Sequence, residues 1–266
     1  MGHGLPLRVL ILGGTAEASA LARLSAAEPG LAPILSLAGR TASPLGAPIE
    51  RRIGGFGGAE GLAAYLRREA IDLLIDATHP FAHQISINAA QAAALEHIPR
   101  LVLCRPPWAA GPGDDWRMVP AMAAAAAMLG DAPRRVFLTI GRQELQPFQA
   151  VAAHHHYLIR SIDPPDPALL PPRAEVIIAR GPFPEEAERA LMERHRIEVL
   201  VTKNSGGADG KLSAARTLGL PVVMVARKPT PPGETVSEPR AALAWLQAHT
   251  TTRPLPEEPA AEERGA

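Results

Sequence analysis

The sequence holds a single cysteine, Cys104, among 266 residues. One thiol cannot form an intramolecular disulfide, and such a chain suits a reducing compartment, so a cytoplasmic location is expected. Net charge is absent as well, because 27 basic residues balance 27 acidic ones. Surfaces that hold nucleic acid or anionic lipid carry a basic excess, so neither partner is expected. No apolar run reaches the ~20 residues of a membrane span, and the opening MGHGLPLRVLILGG lacks a signal-peptide layout. Also missing are a G-x-S-x-G elbow, a Walker loop and paired C-x-x-C motifs, which removes three common chemistries at once.

What is present is a soluble, globular composition, 47% hydrophobic and 20% charged, with length for two domains. Short apolar runs alternate with amphipathic stretches. The first half predicts strands at 8–12, 33–37, 49–53, 71–76 and 100–104, with helices at 16–27, 58–69 and 82–96. This β-α-β-α order implies a parallel sheet with helices on both faces, whose strands read as unbroken apolar runs. A Pro- and Gly-rich loop, RPPWAAGPGDDW (105–116), interrupts the rhythm before a helix at 120–130. Strands follow at 135–140, 156–160, 175–179, 197–202 and 221–226, with helices at 143–152, 184–195, 209–218 and 239–248. The expected layout is one domain over 1–133, a second over 134–249, and a disordered tail, 250–266, rich in Pro, Glu and Ala. The two-domain reading leads us to expect a monomer.

The first strand runs into Gly13-Gly14-Thr15 and then a helix. The strict G-x-G-x-x-G fingerprint is absent, but its physical ingredients remain: glycines that admit a close phosphate, a hydroxyl, and the free N–H groups of a helix start. The alternative is a tight turn with no ligand. After the second strand, where NAD sites carry an acid, the chain offers Arg40 with Thr41 and Ser43. An arginine there pairs with a 2′-phosphate and points to NADPH, unless it is an ordinary loop arginine. In IDATHPFAHQIS (75–86), Thr78, His79 and Pro80 fall at the carboxyl end of a strand, the edge where such sheets bind ligands. Helix capping by Thr78 is the simpler role. The four-residue spacing of His79 and His83 lacks the flanking pattern of a zinc site, and no metal is expected.

The second half repeats the design. Arg142, Arg180 and Lys203 each follow a strand, and Asn204, Ser205, Gly206 and Gly207 form a donor-rich turn before Lys211. Three cations at strand ends suggest a cleft for an anionic ligand. The tract HHHY (154–157) alternates across a strand, so its histidines cannot share one ion; we place it at the surface or at the start of a strand. Cys104 reads as a buried strand residue.

Taken together, LILGGTAEASALA, DATHPFAHQIS, LTIGRQEL, IIARGPFP and VTKNSGGADGKLSAARTLGLPVVMVARKP resemble the precorrin-6A reductases of cobalamin biosynthesis over about residues 8 to 246. The resemblance implies an α/β protein of two Rossmann-like domains, each with a parallel sheet, and an active site in the cleft between them. It implies NADPH-dependent reduction of one double bond of a tetrapyrrole substrate, giving precorrin-6B, without flavin or metal. On this reading Gly13, Gly14 and Thr15 hold the pyrophosphate, Arg40 the 2′-phosphate, and Thr78, His79 and Pro80 border the nicotinamide. Arg142, Arg180, Lys203, Asn204, Ser205, Gly206, Gly207 and Lys211 meet the many-armed acidic macrocycle, with Phe81, Phe183 and Trp108 available to cover its faces. Hydride transfer to a conjugated bond also needs a proton, and His79 and Lys203 are the candidate catalytic donors, with water as the alternative. Two other functions stay open: a cobalt-precorrin-6A reductase and a non-catalytic NADPH-binding sensor.

Overall fold

The computed structural model describes residues 5–38, 49–150 and 152–251. Arg40, Thr41 and Ser43 lie outside the described residues, as does 252–266 of the expected tail. The described chain forms two compact units.

The first unit opens with β1 (Leu7–Leu12), α1 (Ala16–Ser25), β2 (Leu31–Leu37) and β3 (Glu50–Ile53). It continues through α2 (Ala59–Arg68), β4 (Leu73–Asp76), α3 (His83–Leu95) and β5 (Arg100–Leu103). The second contains β6 (Trp116–Val119), α4 (Met122–Met128), β7 (Arg135–Leu138), α5 (Gln146–Ala150), β8 (His156–Ser161) and β9 (Ala174–Ile178). It is completed by α6 (Glu185–Arg194), β10 (Val199–Lys203), α7 (Gly210–Thr217) and β11 (Val222–Val225). The chain then returns to the first unit with β12 (Glu234–Val236) and α8 (Pro239–Thr251).

Each unit carries a sheet of six strands, ordered β12-β5-β4-β1-β2-β3 and β6-β11-β10-β7-β8-β9, with all described pairs parallel. The two orders are the same pattern, with β7 standing where β1 stands. In both, the winding reverses beside the central strand, at β1/β4 and at β7/β10, which is where open α/β sheets leave a crevice.

The changeover differs from the boundary between residues 133 and 134 that the sequence suggests. It falls after Cys104, because β6, which spans the junction between the expected loop and the expected helix, pairs with β11 of the second sheet. The first sheet takes its matching outer strand, β12, from the far end of the chain, against β5. Both are short edge strands with weak apolar patterns, WRMV and ETV, so periodicity does not reveal them. The final helix packs on α1: Ala242 and Leu246 are fully buried beside Ala18, Leu21 and Ala22. Residues 250 and 251 therefore belong to α8 and not to a tail.

β1 shows why the run VLIL, residues 9–12, is unbroken. Val9 and Ile11 face the cluster built with α1 and α8, while Leu10 and Leu12 face the one built with α2 and α3. Alternate residues serve opposite faces, and both faces are covered. In the second sheet, Phe137, Leu158 and Leu200 pack under Met192 of α6 and Leu212 of α7.

The HHHY tract needs a correction. His156 starts β8 and is exposed, but His155 is completely buried. Its Nδ1 accepts the Arg134 amide at 3.1 Å, and its Nε2 meets no hydrogen-bond partner within range among the described residues. Burial, together with the charges of His154 and Arg134, holds its pKa below the usual histidine value. The unfolded chain takes up this proton near pH ~6.5, and the folded chain only at lower pH. Its stabilising contribution is therefore complete above that pH and is lost as pH falls towards the folded value. Urea unfolding at neutral and mildly acidic pH should show stability dropping across this window, and His155→Asn should flatten the drop.

Candidate functional site

In the first unit the loops after β1 and β4 lie side by side at the reversal point. Gly13 is favoured by packing, since a Cβ there would come within 2.7 Å of Leu35 Cδ1 and force that buried side chain to shift. Gly14 is required by conformation, with φ +118° and nothing within 4 Å of an added Cβ. The amides of Gly14, Thr15 and Ala16 meet no acceptor among the described residues, and they stand at the positive end of α1. A phosphate fits this open, donor-lined turn.

Thr15 has a different role from the one its hydroxyl suggests. Its Oγ1 accepts the Ala18 amide at 3.1 Å, capping α1, and donates its proton to the Ala77 carbonyl at 2.9 Å. That proton is no longer available to a phosphate. The side chain instead ties the glycine turn to the Thr78–His79–Pro80 loop. Asp76, at the end of β4, organises the same loop: its Oδ1 accepts Thr78 Oγ1 at 2.8 Å and the Thr78 amide at 3.3 Å. Thr78 also contacts Ser86 Oγ at 3.3 Å, so it braces the start of α3 without capping it. The other Asp76 oxygen faces Arg100 Nη1 at 3.9 Å, and both atoms are buried without a hydrogen bond. Burial pushes the Arg100 pKa down from its ordinary value, while the Asp76 charge opposes that. His79 Nδ1 accepts the Phe81 amide at 3.2 Å, which places a neutral ring's proton on Nε2.

In the second unit the loops after β7 and β10 occupy the equivalent place. Lys203 ends β10 with its side chain 16% exposed, and its ammonium pairs with Glu144 from the loop after β7. Arg142 donates to the Pro164 carbonyl at 3.2 Å and lies 4.0 Å from Asp163. Arg180 is exposed just beyond β9.

The Asn204–Gly207 turn is built mainly to hold the 105–108 segment. Asn204 accepts the Trp108 amide at 2.8 Å and donates to the Trp108 carbonyl at 3.1 Å. Gly207 accepts Trp108 Nε1 at 2.8 Å, and Ser205 accepts Arg105 Nε through its carbonyl at 2.7 Å. A Cβ on Gly206 would fall 2.0 Å from the Pro106 carbonyl, and its φ of +66° also favours glycine. Arg227 adds bonds to the Asn204 and Arg105 carbonyls at 2.6 and 2.9 Å. The Asn204 amide is thus committed to the protein itself.

This arrangement lines an open pocket of about 370 Å³ in the second unit. Lys211, Arg105 and Arg160 line it together with Trp108, Phe183 and Glu188. Arg160 and Glu188 form a buried two-pronged pair, one contact of which measures 2.8 Å, and the Arg160 guanidinium stacks 3.7 Å from the Phe183 ring centre. Lys211, in the first turn of α7, lies 4.9 Å from the Trp108 ring centre. Burial first, then the charges of Arg160 and Arg105, push its pKa down to about 8, with Glu188 opposing. Sequence reading missed Asp76, Arg100, Arg105, Glu144, Arg160 and Glu188. Asp76 and Glu144 lie inside quoted motifs without standing out there, and apart from the Asp76–Thr78 contact these residues work through partners distant in the chain.

Comparison with known proteins supplies an independent reading. A family model described as precorrin-6x reductase CbiJ/CobK matches residues 8–247. The precorrin-6A reductase of Rhodococcus erythropolis is 52% identical over 242 residues, covering 90% of this chain and 97% of the relative. That of Rhodobacter capsulatus is 47% identical over 247 residues, covering 92% and 98%. The cobalt-precorrin-6A reductase of Priestia megaterium is similar at 32% identity over 180 residues, covering 63% and 70%. A solved structure titled CobK precorrin-6A reductase superposes with a TM-score of 0.86 at 46% identity, covering 91% of this chain and 97% of that one.

Proposed function

The chain belongs to the precorrin-6x reductase family, and on that premise we propose that it reduces metal-free precorrin-6A to precorrin-6B with NADPH. It is an oxidoreductase of cobalamin biosynthesis acting on a tetrapyrrole intermediate, and as a reductase it needs a nicotinamide cofactor. The metal-free substrate is favoured because the precorrin-6A reductases named above share 47–52% identity, against 32% for the cobalt-precorrin relative. The cytoplasm, which supplies NADPH, is the compartment we assign, and a monomer the state.

The observation that carries the cofactor reading is the turn after β1. Gly14 leaves open space, the amides of Gly14, Thr15 and Ala16 meet no acceptor among the described residues, and α1 presents its positive end, so the Gly13-Gly14-Thr15 turn offers a pyrophosphate these amides, while the Gly13 amide stays bonded to the Ser36 carbonyl at 2.8 Å. On this reading Thr78, His79 and Pro80 border the nicotinamide, with the His79 ring oriented by the Phe81 amide at Nδ1. Arg40 remains the proposed reader of the 2′-phosphate. When bound, the nicotinamide supplies the hydride.

The second unit meets the acidic arms. Arg142, Arg180 and Lys211 present cations at the strand ends or beside them, and the turn from Asn204 to Gly207 shapes the wall. The reaction consumes one proton besides the hydride, and Lys203 is the better donor of the two considered. In the observed arrangement His79 accepts at Nδ1, so loss of the Nε2 proton would leave an imidazolate. Lys203 holds its ammonium in place through Glu144.

The direct test is loss of NADPH absorbance on mixing purified protein with precorrin-6A, with NADH and cobalt-precorrin-6A in parallel. Turnover with NADPH and the metal-free substrate is the expected result. Binding of NADPH without consumption of either substrate would overturn the reading.

A further inference from the structure

We propose that the 370 Å³ cavity of the second unit is the pocket for one carboxylate arm of the macrocycle, with Lys211 as its ligand and Trp108 and Phe183 as its walls. The inference rests on the substrate reading above and deepens it to a particular pocket.

Charge in this cavity is unbalanced. Arg105, Arg160 and Lys211 line it, against the single carboxylate of Glu188. Glu188 is already engaged, since both of its oxygens bind Arg160. Lys211 is left with an aromatic face and makes no hydrogen bond to another described residue. It also occupies the first turn of α7, where the helix dipole disfavours a cation, and it faces two guanidinium groups. Each of these placements is unfavourable for an ammonium, and an entering carboxylate relieves all of them together. The depressed Lys211 pKa is consistent with a site short of one anion.

Shape supports the assignment. The volume is at the lower end of small-molecule sites, so it takes an acid arm and the ring edge bearing it, not a whole tetrapyrrole. The walls are rigid. Trp108 is fixed by its backbone bonds to Asn204 and by its indole bond to Gly207, and Phe183 is held by stacking on Arg160. A Cβ on Gly210 would come within 2.5 Å of the Phe183 carbonyl, so glycine there lets α7 bring Lys211 close to that wall.

The test compares Lys211→Met and Lys211→Arg with the unaltered enzyme in steady-state reduction of precorrin-6A. We expect Lys211→Met to raise KM roughly 10- to 100-fold, with kcat changing far less and NADPH affinity unaltered. Lys211→Arg should recover part of the KM. A second measurement needs no variant: precorrin-6A, but not NADPH, should slow modification of Lys211 by an amine-reactive reagent, followed by mass spectrometry. An unchanged KM in Lys211→Met, or no protection by precorrin-6A, overturns the pocket and leaves the reductase assignment standing. If the unaltered enzyme does not turn over precorrin-6A at all, the reductase assignment fails and the pocket falls with it.

Discussion

Lys203→Met is expected to lower kcat for precorrin-6A by roughly 10²- to 10⁴-fold, the usual worth of a positioned proton donor. NADPH affinity should stay within a small factor of the original, because the proposed cofactor loops belong to the first unit. The lysine sits at the end of β10, where the second sheet reverses its winding, and Glu144 restrains its ammonium. His79→Ala should behave differently. Loss of a cofactor-facing hydrogen bond should weaken NADPH binding by about tenfold and leave most of the turnover at saturating cofactor. Single-turnover kinetics on both variants separate the two effects. Near-normal turnover in Lys203→Met would assign the proton to solvent.

Glu188→Ala should destabilise the second unit by about 3–5 kcal/mol, because it leaves the buried Arg160 guanidinium without its counter-charge. Arg160 is 8% exposed and lies between the rings of Phe137 and Phe183, so water cannot easily replace the carboxylate. Removing both charges is a milder change. The double variant Arg160→Met with Glu188→Leu should recover much of the loss, since apolar groups of similar volume often pack as well as a buried ion pair. Urea unfolding of the two proteins decides this. If the single and double variants are equally unstable, loss of packing and not the orphaned charge is responsible.

The sequence reading and the structure agree where the signal is local. From Val9 to Leu12, β1 is apolar at every position because both of its faces are covered, and that pattern is legible without any partner. Gly13 and Gly14 mark a strand-to-helix turn from their position alone. The reading went astray where a residue's role depends on a distant partner. The Thr15 hydroxyl looks like a phosphate ligand until Ala77 is beside it. Asn204 looks like a substrate donor until both ends of its amide are found on the Trp108 backbone. His155 looks like a surface residue until the Arg134 amide and the surrounding burial are seen.

By itself, the order of apolar runs, glycines and helix starts determined that this chain builds two parallel α/β sheets with glycine-rich loops at their carboxyl edges. Those features are short-range, set by the side-chain period of strands and helices and by which residues tolerate a tight turn. Only the tertiary structure decided that β12 and α8 return to the first unit, that Asp76 faces Arg100, and that Glu188 neutralises Arg160 while Lys211 forms no ion pair with another described residue. These depend on pairings between residues far apart in the chain. An edge strand of three residues or a lone charge carries no periodicity of its own, and its place is fixed only when the rest of the sheet is there to receive it.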